Sequence, residues 1–499
     1  MFSTLNEKGY IQTCVFLLLS AILYRLVVKV RNVYYHPLSH FPGPPTAAIS
    51  NFLHCYVLLR GRQPYDALHL HRKYGPVVRI APNELSFNTS QSWKDIYGFR
   101  QGHKVFVKSD FYDGGSFADQ AHSIVSERDP KAHRQMRKYL SNAFSERSLA
   151  EQESLIADIV DRFIVQIGGE RGGEGLNLVQ WFNMLTFDII GSLAFGETFG
   201  GVETGRTHQW ISLVTGALKQ GALADTMKRF PLLAEAIKRL IPGKMKKLVQ
   251  ETKIHESYSL DLVKKRLANK TPRKDFVASI LEDKDSDKIS DIQLAAHASD
   301  FITAGSETAA TALACITYHL LHRTDASNRL RQEIRQSFQS YESIDNASTI
   351  PLPYLNAVIL EGMRIYPPLP FALPRVVPEA GDIVDGHFLP GGTVVSTNPI
   401  ATCLSEMNFQ DPELFRPERW LESNERDNLD ASQPFSLGAR SCLGQSLAWM
   451  EMRTTLAKLH YSYDLELLSK DVDWHRDSRM HTLWIKPELR VRVTMRTSS

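Results

Sequence analysis

The residues with the most chemical potential lie in one ten-residue stretch, Phe435-Ser-Leu-Gly438-Ala-Arg440-Ser-Cys442-Leu-Gly444. Cys442 sits just before a helical pattern that runs from Gln445 to Leu459, with Arg440 two residues upstream and glycines on either side. A helix N-terminus presents unpaired N–H groups and a partial positive charge, which predicts thiolate over thiol at Cys442. A soft thiolate so placed is a metal ligand or a nucleophile. With no second cysteine or histidine at metal spacing it does not suit zinc. It suits haem iron, where the porphyrin supplies four ligands and an axial thiolate favours O–O cleavage. A buried free cysteine beside an ordinary helix start is the competing reading of Cys442 alone.

Three further groupings carry chemistry. Ala304-Gly305-Ser306-Glu307-Thr308 falls in the middle of a long apolar helical pattern, Ser290 to Leu321. An acid and a hydroxyl are costly there unless used. Thr308 can bond a backbone carbonyl, and Gly305 removes side-chain bulk, so a groove is expected. Glu361 and Arg364 stand three apart and face each other on a helix; alone, such a pair is usually a surface contact of little weight. His133 and Arg137 stand four apart on a third helical pattern, Lys131 to Phe144, and by themselves fit a solvated basic face.

Together these stretches resemble the cytochrome P450 family. Phe435, Gly438, Arg440, Cys442 and Gly444 match the fixed positions of its haem-binding signature, and residues 304–308 match its oxygen-activation sequence, departing only at Ala309. The resemblance implies haem b with Cys442 as the axial iron ligand and Phe435 shielding the sulfur. Gly438 would give a tight turn and Gly444 close approach to the porphyrin. Arg440, His133, Arg137 and Arg375 would hold the propionates, and Thr308 with Glu307 would organise proton delivery. Glu361, Arg364 and Arg419 of Phe415-Arg-Pro-Glu-Arg-Trp420 would form a buried structural cluster behind the cysteine loop. The substrate pocket would be lined by the 107–128 loop, Phe301, Ala304, Phe371, Leu373 and the tip near Met480. The implied activity is oxygen insertion into a hydrophobic small molecule, with electrons from a separate NADPH- and flavin-dependent reductase, since the few residues after 495 cannot hold such a domain.

The remaining sequence fits a mainly α fold with small β-sheets. Helices are expected at 65–74, 131–144, through 151–267 and at 290–321, strands at 77–80, 85–87, between 376 and 395 and between 483 and 495, and a Gly/Ser/Asp-rich loop at 107–130. Residues 269–290 read as a charged connection around one short helix. The 499 residues carry 43% hydrophobic and 23% charged side chains and a net charge of +3, too mild for nucleic-acid binding. Five scattered cysteines do not make a disulfide framework. Ile11 to Tyr24, extended by Leu26, Val27 and Val28, approaches a membrane span, with Arg25, Lys29 and Arg31 behind it. The expected organisation is an anchor at 1–30, a proline-rich hinge at 31–48 and a catalytic domain at 49–499. By the positive-inside rule the body would face the cytosol from the endoplasmic reticulum. The hinge wording looks fungal, which points to secondary-metabolite biosynthesis. Two rivals stay open: a haem-thiolate isomerase or dehydratase that needs no dioxygen, and a non-enzymatic membrane haem protein.

Overall fold

The 32 residues from Asp291 to His322 form one helix through the interior. Its middle is alanine-rich, and small side chains allow other helices to approach it closely. The Ser290 hydroxyl caps it by accepting from the Gln293 N–H at 3.1 Å. The structure, a computed structural model, describes residues 2–496 apart from 115, 119, 270–274, 282–288 and 423–424. Most of the expected charged connection at 269–290 therefore lies outside the described residues, although its short helix is present as Phe276–Leu281.

The helices that position the site are α1 (Phe2–Tyr34), α2 (Pro130–Ala143), α3 (Leu178–Phe195), α4 (Asp291–His322), α5 (Pro353–Ile365) and α6 (Gln445–Ser462). The strands are β1 (Val77–Ala81), β2 (Glu84–Phe87), β3 (Val107–Lys108), β4 (Arg375–Val376), β5 (Val394–Thr397), β6 (Arg479–His481), β7 (Leu483–Ile485) and β8 (Arg490–Met495). The largest sheet has the order β1-β2-β5-β4-β3. Its pairs are antiparallel except β2 with β5, where Leu85 faces Val395. Val376 pairs with Val107 across β4 and β3, which delivers Lys108 and Arg375 side by side. The expected loop at 107–130 thus begins with a sheet strand and carries short 3₁₀ and β pieces before α2.

α3 is buried along nearly its whole length and lies against α4. Gly305 serves that contact: a Cβ there would stand 3.0 Å from Ile190 Cδ1 of α3. The absent side chain thus admits the neighbouring helix, a packing role beside the groove expected of it.

α1 runs to Tyr34, four residues past the expected end of the anchor. Its apolar part, Gly9–Tyr34, is long enough to cross a membrane by length and composition. Residues 36–44 are non-helical, and Pro45 opens a short helix to Ile49. This segment is docked: Leu38 and Phe41 are buried in the core around the large sheet, the Arg79 N–H donates to the Pro42 carbonyl at 2.8 Å, and Arg79 Nη1 donates to the Asn32 carbonyl at 3.0 Å.

Behind the cysteine loop, Glu361 and Arg364 of α5 are wholly buried. Arg364 donates to both Glu361 oxygens at 2.8 Å, in the two-pronged geometry that guanidinium favours. Arg419 Nε adds a contact at 3.0 Å, and the Arg416 N–H and Trp420 indole N–H complete the carboxylate's partners. Asp427, unforeseen in the sequence, neutralises Arg419 at 2.7 Å. The two arginines outweigh the burial penalty and hold Glu361 below the usual carboxylate range. Glu361→Ala should therefore cost about 3–5 kcal/mol, the penalty for stranding a buried charge. Thermal unfolding should show a large fall in Tm, whereas a surface substitution such as Arg239→Ala should leave Tm unchanged.

Candidate active site

Cys442 is placed by its loop. Its N–H donates to the Phe435 carbonyl at 2.8 Å, which closes the turn. Gly438 takes φ +69°, and a Cβ there would stand 2.2 Å from the Tyr97 carbonyl oxygen, so both conformation and space demand glycine. Gly444 caps α6 at its N-terminus. A Cβ at Gly444 would meet no protein atom closer than 3.9 Å, so the protein's own packing does not require glycine there. Cys442 and Gly444 both line an internal cavity of about 330 Å³, within the range of small-molecule sites.

Burial raises the Cys442 thiol, while the Gly444 N–H and the Arg137 guanidinium pull it down. A bound metal cation would add to that downward pull and favour the thiolate.

The cavity carries a cluster of basic side chains. Arg375 and Lys108 are buried at its wall, joined by Arg440, Arg137 and His133. Their hydrogen bonds go to neutral oxygens. Lys108 donates to the Ile124 and Val125 carbonyls at 3.0 and 2.5 Å. Arg440 donates to the Glu127 and Arg128 carbonyls at 2.8 and 2.9 Å, and Arg137 to the Ser441 carbonyl at 2.7 Å. Arg375 reaches the Pro374 carbonyl at 3.1 Å. The charge is visible in the titrations. Burial, aided by Arg440 and Arg375, brings Lys108 down to about 6. Burial and Arg440 take His133 to about 3, and burial and Arg375 lower Arg440 to about 10. The Trp93 indole N–H, buried and without a protein partner, also lines this cavity. Three arginines, a lysine and a histidine gathered at one wall, with hydrogen bonds to neutral oxygens only, suit a bound anion, which would restore the charge on Lys108.

From α4, Phe301, Ala304, Gly305 and Thr308 also line the cavity. The Thr308 hydroxyl donates to the Ala304 carbonyl at 2.6 Å, as expected. Phe371 and Leu373 also line the cavity, with Tyr112, Ile124 and Val125 of the 107–128 loop. Met480 does not. It is fully buried in β6, where its N–H donates to the Gly61 carbonyl and its sulfur accepts from the Thr482 N–H. Its backbone pairing turns it into the core, away from the site. Glu307 is also absent from the cavity wall, because it faces α3 and Lys486 instead. Lys108 was missed by sequence reading; a lone lysine in a loop carries no signal until β3 sets it beside Arg375.

A family model described as Cytochrome P450 matches residues 42–494. The chain belongs to the cytochrome P450 family. It is 54% identical to cytochrome P450 monooxygenase ORF11 of Penicillium roqueforti, over 88% of this chain and 91% of the relative. It is 42% identical to cytochrome P450 monooxygenase BipB of Cochliobolus sativus, over 99% of both chains. It is 40% identical to cytochrome P450 monooxygenase BOT4 of Botryotinia fuckeliana, over 95% of this chain and 90% of the relative. The activity is accordingly that of a P450 monooxygenase, with haem as cofactor. The cavity of this P450 fits haem: a sulfur faces it, Gly444 leaves it room, and the cations and the Trp93 N–H match two propionates.

Gly438→Ala should lower both haem incorporation and Tm, because it strains φ and collides with Tyr97; pyridine haemochrome content and thermal unfolding report the two effects. Lys108 supplies a pH test. Its pKa is about 6 instead of the ordinary 10.5, so above pH 6 the ligand-free protein holds it neutral. An anion at the cluster restores the ammonium, and binding then takes up a proton. Between pH 7 and 8 the haem affinity of wild type should fall about tenfold more per pH unit than that of Lys108→Met. Titration of apoprotein with haemin at both pH values measures the difference.

Proposed function

We propose that this P450 inserts one oxygen atom from dioxygen into a hydrophobic intermediate of fungal secondary metabolism, using electrons from an NADPH–cytochrome P450 reductase. The observation that carries the reading is that Cys442, the cluster of basic side chains and Thr308 line one cavity. Bound haem supplies dioxygen activation; the chain supplies the rest. Cys442 would be the residue that holds the iron, and its thiolate would supply the electron density that dioxygen activation needs. Arg137, Arg375, Arg440, Lys108 and His133 hold the propionates, so the cofactor's orientation is set from α2, α6's leading loop and the large sheet. Phe435 closes the cysteine side. Thr308 keeps a hydroxyl proton at Oγ1, poised on the Ala304 carbonyl at the cavity edge. Phe301, Ala304, Phe371 and Leu373 exclude water and orient an apolar C–H bond.

An apolar substrate and a membrane location support each other. Besides α1, two surface helices expose large apolar side chains: Phe52, Tyr56 and Leu59 on one, Leu232, Leu233 and Leu240 on the other. Arg229, just before the second helix, donates to Asn51, just before the first, at 3.3 Å, so the two helices start near each other. We place this face against the cytosolic side of the endoplasmic reticulum membrane, with α1 spanning it. The fungal origin of the relatives and the proline-rich segment support the metabolic assignment.

The dithionite-reduced protein with carbon monoxide should give the red-shifted Soret band of thiolate-ligated haem, and Cys442→Ser should lose it. A histidine-type band in wild type would refute the assignment. With reductase and NADPH, Thr308→Ala should keep consuming NADPH but divert it to hydrogen peroxide, with product formation down about tenfold, or ~1.4 kcal/mol. Substrate turnover that needs neither NADPH nor dioxygen would favour the isomerase reading instead.

A further inference from the structure

Asp300 lines the cavity and has no task in the chemistry above. Residues 294–299 of α4 are buried, and at Asp300 the helix regains accessible surface, at a wall of that cavity. Asp300, Ala304 and Thr308 all line it and stand in an i, i+4, i+8 row. At 1.5 Å per residue Asp300 lies about 12 Å from Thr308 along the helix axis. Its neighbours on this wall, Phe301, Ala304, Ile124 and Val125, are apolar. The Val125 N–H donates to Asp300 Oδ2 at 3.2 Å, and the Ile124 N–H donates to His297 Nδ1 at 3.2 Å. Lys108 donates to the carbonyls of both residues, so it acts on Asp300 from the other end of Val125. The Ser123 hydroxyl is a second partner of the carboxylate. A carboxylate offers about four acceptor positions, so these two bonds leave room for a further donor. Burial raises Asp300 to about 6, against the pull of Ser123, the Val125 N–H and Lys108. It is therefore ionised at neutral pH.

We propose that Asp300 is a specificity-determining residue that accepts a hydrogen bond from a neutral hydroxyl of the substrate, at the end of the molecule remote from Thr308. The proposal rests on the apolar-substrate monooxygenase reading above and narrows it. A plain hydrocarbon packed against Asp300 would strip water from the carboxylate and return nothing. An anionic group would meet Asp300 as a like charge. A cationic group would meet Lys108, which an anion at the basic cluster keeps charged. A hydroxyl meets none of these objections, and a buried acceptor discriminates strongly against an analogue that lacks the donor. The substrate is then a hydrophobe already oxygenated at one end, and an earlier step of its synthesis must install that oxygen. Holding residues 123–125 does not by itself require a charge, since an asparagine oxygen also accepts from the Val125 N–H.

Three rigid probes of one shape test this: bicyclohexyl, trans-4-cyclohexylcyclohexanol and trans-4-cyclohexylcyclohexanecarboxylate. Equilibrium dialysis measures their binding to the haem-loaded wild type and to Asp300→Asn. Wild type should bind the alcohol at least as tightly as bicyclohexyl, although water solvates the alcohol better, and should bind the carboxylate most weakly. Asp300→Asn should lower the alcohol-to-bicyclohexyl affinity ratio about tenfold, as expected for one hydrogen bond to a charged acceptor, and should strengthen the carboxylate. A merely structural Asp300 would move all three affinities together. A wild type that prefers bicyclohexyl to the alcohol, or a ratio unchanged in Asp300→Asn, overturns the proposal. The wild-type ranking needs no variant, so it decides even if Asp300→Asn does not fold. A missing thiolate-type carbon monoxide spectrum would instead defeat the monooxygenase reading, and the three affinities would still decide the Asp300 contact.

Discussion

One buried carboxylate holds the region that leads to the haem-binding loop. Glu361 accepts from Arg364, Arg419, Arg416 and Trp420. Arg364 passes the constraint on to the carbonyls of Cys403, Pro412 and Leu414, and Arg419 passes it to Asp427. Backbone scattered between residues 403 and 427 is thereby gathered around one negative charge. Such an arrangement is tolerable only when complete, because a partly satisfied polar network in the interior is worse than none. Its completeness gives Cys442 a rigid base, since residues 428–444 continue directly from it.

The cavity follows the reverse logic. There the cations outnumber their partners, and Lys108 and His133 respond by favouring their neutral forms. The Cys442 sulfur faces the same cavity. Structure around Glu361 is electrostatically closed, while structure around the cavity is electrostatically open. A dianionic cofactor with a cationic metal completes both halves of the open site at once, the propionates answering the lysine and arginines and the metal answering the sulfur.

Much of this was legible in the sequence because it is local. The cysteine loop, the Thr308 bond to the Ala304 carbonyl and the Glu361–Arg364 spacing depend on residues a few positions apart, and their geometry follows from helix periodicity and turn chemistry, whereas Glu307 turns away from the cavity that Thr308 lines. The capped 32-residue interior helix and the β1–β2 hairpin were readable for the same reason. What escaped depends on contacts between distant segments. Lys108 gains its role only when β3 pairs with β4. Lys486 reaches Glu307 across 179 positions. Met480 was assigned to the pocket by analogy, but one strand hydrogen bond to Gly61 turns it inward.

The docking of residues 36–44 alters how the membrane helix and the body are mechanically related. With Leu38 and Phe41 embedded beside the large sheet and Asn32 held by Arg79, no slack chain separates α1 from the catalytic body. At 1.5 Å per residue the 33-residue helix is about 50 Å long, against a hydrocarbon core of about 30 Å. The two parts thus behave as a lever with a fixed elbow. With α1 in the proposed membrane placement, bilayer thickness, by setting the tilt of the long arm, would also set the angle at which the short arm presents its apolar face to the lipid.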